Sequence, residues 1–280
     1  MKVVYSPKCL SYHQEGHPET PDRVKQAAHH LKNDFDVRAA EPCKDADILR
    51  AHEQQLFDSV RAGTFFDRDT PNLPHMFAHA KLAAGAAIQA AELCLKGEKA
   101  FSLMRPPGHH AGRAFLGGFC YFNSIAIAVK KILRDLDRIA ILDIDGHHGN
   151  GTQDIFLGSE EVLFVSLHQR SAFPLSGFVS ERNCINYPLA TATGGKQYMQ
   201  TLEDALEKIE PFNPDVIAVS AGFDTYKDDP LLQLNLGINT FFEIGDAIRQ
   251  LEKPCFAVLE GGYSKDLPQC VHAFLKGLED

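Results

Sequence analysis

Six short runs of aliphatic and β-branched residues recur along this chain, separated by longer segments of helical spacing, and that alternation restricts the fold more than any single motif. The runs are 2–5, 100–104, 138–144, 162–167, 216–220 and 255–259. The helical segments are 21–31, 78–95, 124–133, 196–209 and 241–251. Several of the runs are apolar at consecutive positions, as strands buried on both faces must be, and such strands occur in parallel sheets covered by helices. The expected fold class is therefore α/β: one domain over residues 1–280, with a mostly parallel central sheet flanked by helices. Hydrophobic residues make up 44% of the 280, enough for a core and against general disorder. No repeat, low-complexity tract or long polar linker divides the chain.

The polar residues gather where such a sheet would present a ligand. Loops rich in Gly, His and Asp follow five of the runs, at 105–110, 145–151, 168–178, 221–224 and 260–263. In open α/β sheets, ligands bind beyond the carboxyl ends of the strands, and the active site is expected there.

The densest of these loops is Asp143-Ile144-Asp145-Gly146-His147. Residues two apart in extended chain project to one side, so Asp145 and His147 can address one ion, with Asp143 beneath them. A carboxylate and an imidazole suit zinc or another first-row divalent metal, and three protein ligands leave a position for water. Asp224 is the best third candidate; the plainer reading is helix-capping carboxylates beside surface histidines. His109 and His110 follow Arg-Pro-Pro-Gly, a stiff non-helical loop, and suit linked acid–base roles near neutral pH. A solvated pair, the reading taken for His29-His30, is the alternative. Tyr263 follows two glycines and could offer its hydroxyl to a developing oxyanion. Gly118-Phe119 and Phe173-Pro174 supply aromatics that either fill the core or wall a slot.

Other signals fail. His52-Glu53-Gln54-Gln55 begins like the zinc-protease helix motif but has Leu at position 56, so the second histidine is missing. There is no Gly-x-Ser-x-Gly elbow, and Gly146, Gly149 and Gly151 match neither the dinucleotide nor the Walker pattern.

Together these motifs resemble the histone deacetylase and acetylpolyamine amidohydrolase family. The matches are Arg105-Pro106-Pro107-Gly108-His109-His110-Ala111, Gly118-Phe119-Cys120-Tyr121-Phe122-Asn123, residues 143–156, Ser166-Leu167-His168, Ala221-Gly222-Phe223-Asp224 and Leu259-Glu260-Gly261-Gly262-Tyr263. His17-Pro18-Glu19 with Pro21 and Arg23 resembles the family's opening. The resemblance runs in order through nearly the whole chain. It implies the arginase/deacetylase-like fold and a zinc-dependent hydrolase that removes acetyl and other acyl groups from lysine side chains or acetylated polyamines. Carried over by position, Asp145, His147 and Asp224 match the zinc ligands, His109 and His110 the paired histidines, and Tyr263 the transition-state phenol. Gly118, Phe119, Phe173 and Gly262 match the substrate tunnel. Asp143, Ser166 and Leu167 match an inner potassium site. Asn150 stands where some members carry Asp, and as Asn it matches the class II-like and bacterial branch.

The chain departs from the family at two places: the segment from Phe65 to Met76 lacks a long insert of the acetylpolyamine branch, and 173–186 is abbreviated. Asp67 or Asp69 is expected at the rim, unless both are solvated loop acids. Two other functions remain open, a two-manganese ureohydrolase of similar fold and an inactive acyl-lysine-binding module. Lys and Arg total 28 against 37 Asp and Glu, a net charge of −9, which disfavours nucleic acid and permits a cationic substrate. No apolar run approaches the ~20 residues of a membrane span. Seven cysteines without a Cys-x-x-Cys pair read as free thiols, and with no visible secretory signal the expected location is cytoplasmic.

Overall fold

The computed structural model describes residues 1–279. Eight strands form one sheet: β1 (Lys2–Tyr5), β2 (Asp36–Ala39), β3 (Ala100–Ser102), β4 (Ile139–Asp143), β5 (Val162–Gln169), β6 (Cys184–Leu189), β7 (Val216–Ala221) and β8 (Cys255–Leu259). Their order is β2-β1-β3-β8-β7-β4-β5-β6, and every pairing is parallel. Every residue of β3, β4, β5, β7 and β8 is buried, which requires helices over both faces.

The α-helices among the described residues are α1 (Pro21–Leu31), α2 (Asp45–Ile48), α3 (Gln54–Ala62), α4 (Met76–Cys94), α5 (Ser124–Ile132), α6 (Asn150–Phe156), α7 (Gly195–Phe212), α8 (Ile238–Arg249) and α9 (Leu267–Glu279). Alanine-rich α4 packs on α5, while α8 packs on α9 and α9 on α1. At Gly85 of α4 a β-carbon would overlap the Glu41 carbonyl, so this glycine permits a close backbone approach. The Asn123 side chain caps α5 by accepting the Ala126 N–H at 3.0 Å, satisfying an otherwise orphaned donor.

The two strands that sequence patterning does not reveal, β2 and β6, are the sheet's two edges. β2 is exposed at every residue, and β6 contains Pro188, which an edge tolerates and a central strand does not. Strand register then builds the site. Asp143, the last residue of β4, lies beside Ser166 of β5 and Ser220 of β7, and Ala221 of β7 lies beside Leu259 of β8. The loops after these four strands and β3 therefore leave the sheet at its carboxyl end, where the strand order reverses around β8 and β7.

Candidate active site

Asp145, His147 and Asp224 each turn one ligand atom toward a common point, with all three atoms within 4.8 Å of one another. Asp145 Oδ1 and Asp224 Oδ2 face His147 Nδ1 at 3.2 and 2.7 Å. The remaining carboxylate oxygens are held from behind: Asp145 Oδ2 accepts the Gly261 N–H at 2.7 Å and Asp224 Oδ1 the Gly146 N–H at 2.7 Å. A β-carbon at Gly222 or Gly261 would intrude on these carboxylates, so the two glycines let the backbone close around them.

The donor set fits a metal. Both carboxylates are fully buried, and burial together with the Asp145 charge pushes Asp224 up to about 7. Asp145 is lowered, because the positive charge of His109 and the His147 hydrogen bond outweigh its burial. Burial opposes a charge on His147, yet Asp224 and Asp145 raise it to about 10. Two buried carboxylates around one imidazole thus call for a cation, and one nitrogen with two oxygens suits zinc or a neighbouring divalent ion.

The two histidines beside this point are driven apart. His109 Nδ1–H donates to Asp143 Oδ2 at 3.0 Å; burial would lower its pKa, but Asp143 and Asp145 raise it to about 10. His110 is held well below its ordinary value by burial and by the neighbouring His109 charge. Its Nδ1 lies 2.8 Å from Asn150 Oδ1; with the amide oxygen assigned there, Nδ1 is the donor and Nε2 keeps its lone pair. A carboxamide at 150 orients His110 without the negative charge that would favour an imidazolium. This separation of two titrating groups is the pattern of a proton-transfer site.

Above the pair lies a cavity of about 560 Å³, lined by His109, His110, Gly118, Phe119, Phe173 and Tyr263 among others. Phe173 meets His110 edge-on, with ring centroids 4.9 Å apart, and Phe119 meets Tyr263 at 5.8 Å. Gly118 has φ +54°, and a β-carbon there would overlap His110 and reach within 2.7 Å of Phe173. Despite its abbreviated loop, Phe173 therefore forms part of the wall. Gly262 requires a correction, since Gly261 and Tyr263 line the cavity and Gly262 does not. Its φ is +115°, and a side chain would run into Phe223 and Leu267, so it serves the turn behind the wall. At the mouth the lining includes Asp69 with Arg68. Asp67 instead accepts the Asp69 N–H at 3.0 Å. Burial pushes the Tyr263 phenol well above 10, so it remains a donor.

The histone deacetylase domain model matches residues 17–278. This chain belongs to the histone deacetylase family. Over its full length it is 38% identical to a probable deacetylase of Methanothermobacter thermautotrophicus, covering 91% of that protein. It is 36% identical to the acetylpolyamine amidohydrolase of Mycoplana ramosa, with 86% of this chain and 73% of the relative covered. The crystal structure of acetylpolyamine aminohydrolase from Burkholderia pseudomallei superposes with a TM-score of 0.92 at 27% identity, covering 99% of this chain and 98% of that one.

The structure of this deacetylase-family chain adds supporting residues that motif spacing did not assign a role. Glu260 accepts the Gly108 and His109 N–H groups at 2.6 and 3.1 Å, fixing the histidine loop. Arg105 is fully buried and grips the Glu19 carboxylate with two bonds, at 2.7 and 2.6 Å, and its carbonyl with a third at 2.9 Å. Glu19 also accepts from Arg23 at 2.9 Å, and these two cations outweigh burial to lower its pKa. Arg23 in turn lies over the Tyr263 ring, 4.4 Å from its centroid. The opening segment thus braces the phenol across 240 residues of sequence, a relation that no local pattern encodes. His52 proves structural, with Nδ1 2.7 Å from the Gly112 carbonyl and Nε2 accepting the Asn123 N–H at 2.9 Å. All seven cysteines are free and buried, and among the described residues no helix is long and apolar enough to cross a membrane.

Proposed function

We propose that this chain is a zinc-dependent deacetylase, an amidohydrolase that removes acetyl and related acyl groups from lysine side chains or from acetylated polyamines and other small amines. One observation carries the reading: Asp145 and His147 of the three-donor cluster, a neutral His110 and the protonated Tyr263 phenol all face a single aromatic-walled cavity, with Asp224 completing the cluster behind them. A zinc ion held by Asp145, His147 and Asp224 would acidify a water and polarise the amide carbonyl.

The chain's own groups complete the hydrolysis. His110 Nε2 accepts the proton of the attacking water, whose oxygen bonds to the carbonyl carbon. Tyr263 donates a hydrogen bond to the oxyanion that develops there. As the C–N bond breaks, His110 returns the proton to the amine nitrogen, and transfer of the remaining acid proton to the amine leaves a carboxylate and an ammonium. His109, tied to Asp143, keeps a positive charge beside the reacting centre. Phe119 and Phe173 flank the aliphatic chain and exclude water. A potassium ion on Asp143, Ser166 and Leu167 belongs to the same proposal. His168 Nε2–H donates to the Gly177 carbonyl, so its Nδ1 accepts a hydrogen bond from the Ser166 hydroxyl at 2.9 Å, leaving the Ser166 oxygen lone pairs for a cation.

Metal analysis with an acetyl-lysine assay tests the reading, and absence of both tightly bound divalent metal and turnover would overturn it. With only a compact segment between Phe65 and Met76 at the rim, a small acetyl-lysine substrate should be hydrolysed without strong exclusion in favour of N-acetylputrescine. A preference for the polyamine above about a thousandfold in kcat/KM, roughly 4 kcal/mol, would refute the open entrance.

A further inference from the structure

Asp229 lies five residues beyond Asp224, and its side chain bridges two parts of the site that are distant in sequence. The residue is only 7% exposed. Oδ1 accepts the Leu231 N–H at 3.0 Å, and Oδ2 accepts the Tyr263 N–H at 2.7 Å. The Arg23 charge acts on this carboxylate, but its hydrogen bonds go to these two backbone donors.

The second bond matters because of its position. The peptide unit joining Gly262 to Tyr263 has its carbonyl oxygen held by Arg23 Nε at 2.5 Å and its N–H held by Asp229. A peptide plane gripped at both ends cannot rotate without breaking both bonds. The preceding Gly261-Gly262 pair, with Gly262 at φ +115°, would otherwise allow this segment more conformations than any other dipeptide. At its other oxygen Asp229 holds Leu231, which lines the cavity with Leu232 and Gln233.

We infer that Asp229 is a positioning residue, which fixes the Gly262–Tyr263 peptide so that the phenol faces the reacting carbonyl and which ties that peptide to the Leu231 wall. The inference rests on the deacetylase reading for its kinetic consequence and on geometry alone for its structural one.

The test places Asp229→Ala and Asp229→Asn in wild type and in Tyr263→Phe. kcat and KM are measured on an acetyl-lysine substrate, and hydrogen exchange is followed over residues 260–266. Misplacing a reacting group by about 1 Å costs up to ~10²-fold, so Asp229→Ala should lower kcat by roughly 10- to 100-fold. Asp229→Asn keeps one carbonyl oxygen, hence one of the two bonds, and should fall between Ala and wild type. In the Tyr263→Phe background, Asp229→Ala should change kcat by less than about threefold, because the hydroxyl it orients is gone. Exchange at the Tyr263 amide should accelerate in Asp229→Ala. Equal losses in both backgrounds, or unchanged exchange at that amide, would overturn the inference. If wild type shows no turnover, the deacetylase reading fails, and the exchange result still decides whether Asp229 holds the peptide.

Discussion

Acidification should weaken this protein through His52, which is outside the metal cluster and hydrogen-bonds the loop that carries the paired histidines. Its Nδ1–H faces the Gly112 carbonyl and its Nε2 accepts the Asn123 N–H, so the neutral ring satisfies both neighbours. A second proton on Nε2 would set donor against donor. Burial accordingly lowers the pKa to about 4, outweighing the Gly112 bond that opposes it. In the unfolded chain the ring titrates near 6.5. Between those two values the unfolded state binds more protons than the native state, so stability is full above about pH 6.5 and drains as the pH falls toward 4. The total is about 3 kcal/mol, with a slope near pH 5 of about 1.2 kcal/mol per pH unit. Urea unfolding of wild type and His52→Gln from pH 4.5 to 7.5 isolates this contribution, because every other titrating group is common to both. The wild-type curve should be steeper on the acid side by about that slope. Parallel curves through this window would show that His52 does not stay neutral in the fold.

Asp224→Ala should abolish tight metal binding, and elemental analysis showing full occupancy in the purified variant would remove Asp224 from the ligand set. Tyr263→Phe should retain fold and metal yet lose about 10²–10³ in kcat, the usual cost of one oxyanion donor; a near-normal single-turnover rate would dismiss the phenol. Gly118→Ala places a methyl group against His110 and Phe173 and should lower kcat/KM by at least about tenfold, with unchanged steady-state kinetics as the contrary result.

Much of the architecture was legible locally. Strands β1 and β8 and helix α1 occur with the expected limits, and the other four expected strands shift by one or two residues at their ends, because apolar runs with turn chemistry at their borders carry their own signal. Expected and observed metal candidates coincide at Asp145, His147 and Asp224, although β4 ends at Asp143 and 145–147 form a bend. The hydrogen bonds of the Asp145 and Asp224 carboxylates, rather than strand alternation, therefore bring the donors together. Edge strands β2 and β6 were not legible, because a fully exposed strand such as β2 and a partly exposed one such as β6 need no continuous apolar run.

The sequence by itself determined the sheet's inner strands, the polar loops at their ends and the residue types available there, all consequences of short-range backbone and hydrophobic preferences. Only the tertiary structure decided which of those residues meet. The parallel register sets Asp143 beside Ser166 and Ser220, and β7 lies next to β4, so that Asp224 reaches His147. Strand order likewise brings Glu19, Arg23 and Asp229 around Tyr263. These contacts join residues tens to hundreds of positions apart, and nothing in local spacing specifies them. They form because burying both faces of the sheet leaves one arrangement in which the loop carboxylates and guanidinium groups find partners once water is excluded.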